Sequence, residues 1–236
     1  MSIKAVLFDL DGTLLPMDMD EFTEGYFKFL VKKAMPSGYE PKSLVDAIWH
    51  GTAAMVKNNG SRTNEDVFWE DFGRSFGKER AEKDRQLFED FYANDFICAK
   101  DFCGFNPLAA ESVHKIKDKG LRVALATNPI FPMIATQSRI RWAGLEPEDF
   151  EFYTAYENIG YSKPNLDYYR EILDRMGLEP EDCLMVGNDV SEDMVAEELG
   201  MQVFLITDCM INKKGTDIGR YPHGSFEDLM SLIDTL

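Results

Sequence analysis

"VLFDLDGTLL", residues 6–15, carries an apolar run into two acids, Asp9 and Asp11, and then into a glycine and a threonine. A short continuous apolar run bounded by turn residues reads as a buried strand. Two carboxylates two residues apart at the end of such a strand are a chemical feature rather than a packing one. In an extended segment, residues two apart project to the same side. Gly12 permits the sharp turn that must follow.

Four further runs read the same way: "RVALATN" (122–128), "FYTAY" (152–156), "CLMVGND" (183–189) and "VFLITD" (203–208). Helical patterns separate most of them. "PLAAESVHKIKDKG" (107–120) and "NLDYYREILDRMG" (165–177) carry apolar residues at helical spacing and stop at Gly120 and Gly177. "SEDMVAEELG" (191–200) is expected to be a helix capped by Ser191. "SFEDLMSLIDTL" (225–236) starts with Ser225 and Asp228, a capping-box pattern, and sets Phe226, Leu229, Met230 and Ile233 on one face. Apolar strands alternating with helices predict an α/β fold: a Rossmann-like parallel sheet core with helices on both faces.

Residues 16–99 break this rhythm, with no apolar β-run. "FTEGYFKFLVKKAM", "KSLVDAIWHGTAAMVKN", "NEDVFWEDFGRSFG" and "KDRQLFEDFYANDF" are amphipathic at helical spacing, separated by the turn-rich "MPSGYEP", "NNGSR" and "FGKE". We expect an inserted α-helical domain over 16–99, with the α/β core formed by 1–15 and 100–236. The aromatics Trp49, Phe68, Trp69, Phe88, Phe91 and Tyr92 read as the packing core of that insert. Lys57, Arg62 and Arg74 read as surface cations.

Composition narrows the function. The net charge of −17 opposes binding to nucleic acid, whose phosphates are held by clustered Lys and Arg, and binding to anionic membrane surfaces. The four cysteines form no CxxC pair and the three histidines are scattered, so no zinc site is expected. No signal peptide is read at the N-terminus, and no run approaches the about 18 apolar residues of a membrane span. A cytoplasmic protein is the expectation; its oligomeric state is not readable.

Ligands of an open parallel sheet bind outside the carboxyl ends of its strands. The first strand delivers Asp9 and Asp11 there, the second Thr127 and Asn128. The third leads on to "YSKPN" with Lys163, and the fourth delivers Asp189, followed by Asp193. Three close carboxylates repel unless a cation neutralises them. A hard divalent cation fits, and Mg²⁺ takes one or two carboxylates while leaving positions for water and a phosphate. The sequence leaves the bond between Lys163 and Pro164 open between cis and trans, trans being the default for X–Pro.

Taken together, "DLDGTLL", Thr127 after an apolar strand, Lys163, and "GNDVSED" with Asp189 and Asp193 resemble the haloacid dehalogenase superfamily in order and spacing. The likeness covers the sheet domain, and the helical insert falls where that family carries its type 1 cap. The resemblance implies a Mg²⁺-dependent phosphatase acting on a small phosphorylated metabolite. It implies that Asp9 is the nucleophile and that Asp11 serves as its acid/base partner. Thr127 and Asn128 would bind the phosphoryl group, with Lys163 neutralising it. Asp9, the Asp11 backbone carbonyl and Asp189 would hold the metal, and Asp193 would orient Lys163 or a metal-bound water. A phosphomutase resembling β-phosphoglucomutase would share every one of these residues. A binding protein built on the same scaffold is the non-enzymatic alternative. Dehalogenases of the superfamily need no metal and do not usually carry an acid at the position of Asp11.

Overall fold

Alternation along β1 (Ala5–Phe8) decides what covers each side of the sheet. Val6 and Phe8 pack on one face with the helices α5 (Pro107–Asp118) and α8 (Phe226–Thr235). Ala5 and Leu7 pack on the other with α7 (Leu166–Met176). The same split recurs in β4 (Cys183–Gly187) and β5 (Gln202–Ile206), as expected where a strand is buried on both faces. The computed structural model describes residues 3–236. Its sheet has six strands, all parallel, with β2 (Arg122–Leu125), β3 (Phe152–Tyr153) and β6 (His223–Gly224) completing the order β3-β2-β1-β4-β5-β6. The chain runs outward from β1 in one direction, then restarts at β4 and runs the other way. That reversal opens a crevice at the carboxyl ends of β1 and β4, where an α/β sheet binds its ligands.

The strands are shorter than the apolar runs. β1 stops at Phe8 and β4 at Gly187, so Asp9, Asn188 and Asp189 leave the sheet. Asp9 is still anchored, its N–H donating to Val186 O at 2.9 Å.

Four helices follow β1: α1 (Met19–Ala34), α2 (Pro41–Val56), α3 (Asn64–Phe76) and α4 (Lys78–Asp90). Local chemistry starts each of the first three. Asp18 accepts from the N–H groups of Asp20 and Glu21, Glu40 caps ahead of Pro41, and Thr63 accepts from Asp66 N. Two chain crossings join this insert to the sheet, and they lie side by side: Met17 bridges Cys103, and Gly104 N donates to Pro16 O at 2.7 Å. The insert's buried aromatics are continuous with the Val6/Phe8 side of the sheet core.

Two segments differ from expectation. The helix read through residue 96 ends at Asp90, passes through one π turn (Phe91–Asp95) and continues as a 3₁₀ helix over Phe96–Phe102, across the boundary expected at residue 100. Residues 191–200 are not an α-helix begun by Ser191. They hold a 3₁₀ helix, Met194–Leu199, and Asp189 Oδ1 takes the N–H groups of Ser191 and Glu192 at 2.7 and 3.0 Å. The bond between Lys163 and Pro164, open in the sequence, is cis. The sequence reading also passed over a helix, α6 (Met133–Trp142), which supplies a residue of the site.

Candidate active site

Lys163 is the hub of the crevice. Its side chain is 1% exposed, and its ammonium lies 2.8 Å from Asp9 Oδ1 and 2.6 Å from Asp193 Oδ1. Burial works against this charge, but Asp193 and Asp9 outweigh it and hold the Lys163 pKa well above its ordinary range. Burial pushes the Asp193 carboxyl upward while Lys163 draws it down. The second Asp193 oxygen accepts from Asp189 N at 2.9 Å, which ties the lysine to the loop after β4. A Cβ on Gly187 would fall inside the Asp193 carboxylate, so only glycine lets that carboxylate close on the strand end.

Besides Lys163, one side chain among the described residues, Thr13, reaches the Asp9 carboxylate. The Thr13 hydroxyl lies 3.1 Å from Asp9 Oδ2 and 3.1 Å from Asn188 Oδ1, and donates its single proton to one of them. Asn188 in turn donates to Cys209 O at 2.6 Å. Gly12, with φ +83°, turns the chain between Asp11 and Thr13, and its missing side chain makes room for the Asn188 amide.

Asp11 has two unlike oxygens. Oδ2 is ion-paired with Arg139 of α6, whose side chain is fully buried. Oδ1 is buried without a hydrogen-bond partner. Arg139 is also held by the Thr136 hydroxyl at 3.3 Å and stands 4.5 Å over the Phe131 ring. Burial pushes the Asp11 carboxyl upward, Arg139 pulls it back and Asp9 pushes it up again, leaving it raised.

Thr127 and Asn128 close the floor. The Thr127 carbonyl accepts from the hydroxyls of Thr154 and Tyr168 at 2.6 and 2.8 Å, and the residue lines the cavity. Asn128 donates to Glu192 at 3.1 Å and leaves its Oδ1 buried without a partner. Burial raises the Glu192 carboxyl, which lines the cavity beside Asn128.

All seven residues singled out in the sequence, Asp9, Asp11, Thr127, Asn128, Lys163, Asp189 and Asp193, therefore meet at one sheet edge: six line one cavity of about 370 Å³, and Lys163 sits behind them on Asp9 and Asp193. The insert forms the opposite wall of this cavity. Here the reading of its aromatics needs correction. Phe68, Trp69, Phe88 and Tyr92 are core residues that also line the cavity, and Trp49 is 50% exposed at its edge. Lys57, Arg62 and Arg74 lie away from the cavity. Arg62 and Arg74 both pair with Glu70 on the surface.

Arg139, Thr13, Asn188 and Glu192 were missed. Arg139 had a signal: Ala135, Thr136, Arg139 and Ile140 form the buried stripe of α6, whereas Arg141 is half-exposed and pairs with Glu146. A charge in such a stripe demands a buried partner.

The donor set suits a hard cation. Four aspartates, Asp9, Asp11, Asp189 and Asp193, gather here, and among the described residues only two cations, Lys163 and Arg139, form direct ion pairs with them. Asp189 uses one oxygen on backbone N–H groups and keeps the other free of protein partners. Among the described residues no three His, Cys, Asp or Glu side chains cluster as a ready metal cage. Two carboxylates and a backbone carbonyl are the sparse oxygen set that Mg²⁺ accepts beside water and phosphate.

This fold and site define a class of enzymes with a Rossmann-like parallel sheet and an aspartate pair at the sheet edge. The chain matches the family model of haloacid dehalogenase-like hydrolases over residues 3–199, and it belongs to that family. It is 25% identical over 228 residues to the glyceraldehyde 3-phosphate phosphatase of Methanothermobacter thermautotrophicus, covering 92% of this chain and 94% of that one. It shares its fold with a predicted phosphoglycolate phosphatase from Haemophilus somnus (TM-score 0.61, 17% identity, 98% of each chain). It shares it equally with a 2-haloacid dehalogenase from Pseudomonas syringae (TM-score 0.61, 19% identity, 99% of each chain). Fold likeness alone thus spans two chemistries.

Proposed function

We propose that the chain is a phosphoric monoester hydrolase that works through an aspartyl-phosphate on Asp9 and acts on a small phosphorylated metabolite. The observation that carries this reading is Asp11, with one oxygen anchored by Arg139 and the other free of partners, beside an Asp9 held by buried Lys163. A phosphoryl transfer needs an acid/base at that place; a dehalogenase does not. The phosphatase relatives support the same choice.

Asp9 attacks phosphorus, a bond forms from its carboxylate oxygen, and the ester P–O bond breaks. The departing alkoxide takes a proton from Asp11 Oδ1. Burial keeps the Asp11 carboxyl raised, which favours the protonated form this step requires. Water then attacks phosphorus, Asp11 takes its proton back, and Asp9 is released with inorganic phosphate. The Thr127 hydroxyl and the Asn128 side chain hold phosphoryl oxygens, and Lys163 offsets the charge shared with Asp9. Asp193 fixes Lys163. Asp9, the Asp11 carbonyl and Asp189 would hold Mg²⁺, which when bound neutralises phosphoryl charge. The insert is a cap over the site that excludes bulk water.

A phosphomutase would share this floor, but the cavity walls hold few polar groups with which to grip a sugar bisphosphate. The test is phosphate release from a panel of phosphorylated metabolites, with and without Mg²⁺, beside Asp9→Asn. Metal-dependent release that the variant abolishes is expected. Release only in the presence of a bisphosphate activator would favour the mutase.

A further inference from the structure

The insert contributes an unusual wall to the cavity. Phe22, Tyr26, Phe27, Ile48, Trp49 and Tyr92 line it, and among the described residues no Lys, Arg or His of the insert does. The hydroxyls of Tyr26 and Tyr92 satisfy each other at 2.8 Å, so they ask little of a ligand. What remains polar on this wall is Thr23, Thr52 and Asp20. Of the insert's cations, Lys33 pairs with Asp90 and Asp95, and Arg85 pairs with Glu65, both away from the cavity lining. On the core side, the one lysine that lines the cavity is Lys213, exposed at its rim.

Trp49 adds a second observation. Its ring stands 5.6 Å from that of Phe27, yet the residue is half-exposed at the cavity edge. An indole left open beside an apolar cavity is a surface for a ligand to cover.

Resting on the phosphatase reading above, we propose that the alcohol this enzyme releases is neutral and apolar, an aromatic or branched hydrocarbon group held against Trp49 and Phe27. The ester P–O bond breaks as described, and the alcohol leaves with the Asp11 proton into this cavity. A leaving group with its own carboxylate, as in phosphoglycolate, meets Asp20, Glu192 and the floor aspartates with no cation of the insert to receive it. Like charges placed together in a poorly solvated site are strongly disfavoured.

The experiment compares kcat/KM of the Mg²⁺-loaded full chain for 2-phenylethyl phosphate, phosphoglycolate and glyceraldehyde 3-phosphate. Acetyl phosphate, whose leaving group carries no aromatic or branched surface, serves as the control. The first two have alkoxide leaving groups of similar basicity, so the comparison reads the cavity. The 2-phenylethyl ester is expected to exceed phosphoglycolate by at least about a hundredfold, and to exceed glyceraldehyde 3-phosphate as well. Trp49→Ala is expected to lower the ratio of 2-phenylethyl to acetyl phosphate turnover about tenfold. Turnover of acetyl phosphate with phosphoglycolate or glyceraldehyde 3-phosphate equal to or above the 2-phenylethyl ester overturns the leaving-group assignment and leaves the phosphatase reading standing. An unchanged ratio in Trp49→Ala overturns it too. No turnover of any compound, acetyl phosphate included, removes the phosphatase reading and this inference with it.

Discussion

Replacing Arg139 by Met keeps most of the side-chain volume and removes the charge that faces Asp11. Arg139 is fully buried, and the Asp11 side chain is 15% exposed. Breaking a buried pair by removing one partner destabilises by about 3–5 kcal/mol, because the other charge is left without compensation. Asp11 has partial relief: it borders the cavity and already holds a raised pKa, so it can take a proton instead. The lower end, about 3 kcal/mol, is therefore the expected loss. In a chain of this size each kcal/mol lowers the melting temperature by about 2–4 °C, which gives a fall of about 6–12 °C. Differential scanning calorimetry of the metal-free protein reads it. The cycle is completed by Asp11→Asn and the double variant. Each single change strands a partner, so the double variant is expected to be clearly more stable than the sum of the two losses. Strict additivity, or a melting temperature within 2 °C of the parent protein for Arg139→Met, would refute the account of this pair.

Other expectations follow from the same geometry. Lys163→Met leaves Asp9 and Asp193 facing each other without a cation; phosphate release should fall by at least about 10²-fold, read in steady state. Gly187→Ala places a methyl inside the Asp193 carboxylate. It should cost about 1–3 kcal/mol and lower activity with Lys163 chemically intact, measured by denaturant melts and turnover. Chelation by EDTA should abolish turnover, and added Mg²⁺ should restore it. Glu151 has its pKa lowered, chiefly by its hydrogen bond from Arg122. Its contribution to stability is present above the unfolded carboxylate pKa and is lost as pH falls through the lowered folded value. Glu151→Gln should therefore flatten the acid limb of the melting temperature against pH. The effect is small because the pair is exposed.

The sheet and the floor of the site were legible because both depend on local pattern. Buried strands announce themselves as apolar runs, and their carboxyl ends put Asp9, Thr127 and Asp189 within reach of one another by topology alone. Arg139 escaped because α6 follows Pro132, which has no hydrogen-bonding side chain to cap it, and buries Thr136 and an arginine among its apolar residues. That mixture blurs the helical period. The turn after Asp189 was misread for a related reason. Ser191 is a good cap in general, but here Asp189 takes the backbone N–H groups of Ser191 and Glu192. The cavity wall was invisible in sequence. Phe68 and Trp69 follow the spacing of core residues, and only the placement of the insert over β1 and β4 turns one side of that core into a ligand surface.

Phosphoryl transfer through Asp9 is tested most directly by trapping it. A single turnover with Mg²⁺ and the best substrate, quenched in acid, is followed by mass spectrometry of the peptide that spans residues 5–15. The account predicts a phosphoryl adduct on Asp9 that forms and decays with phosphate release, and none in Asp9→Asn. An adduct on another residue, or undiminished phosphate release by Asp9→Asn, would contradict it.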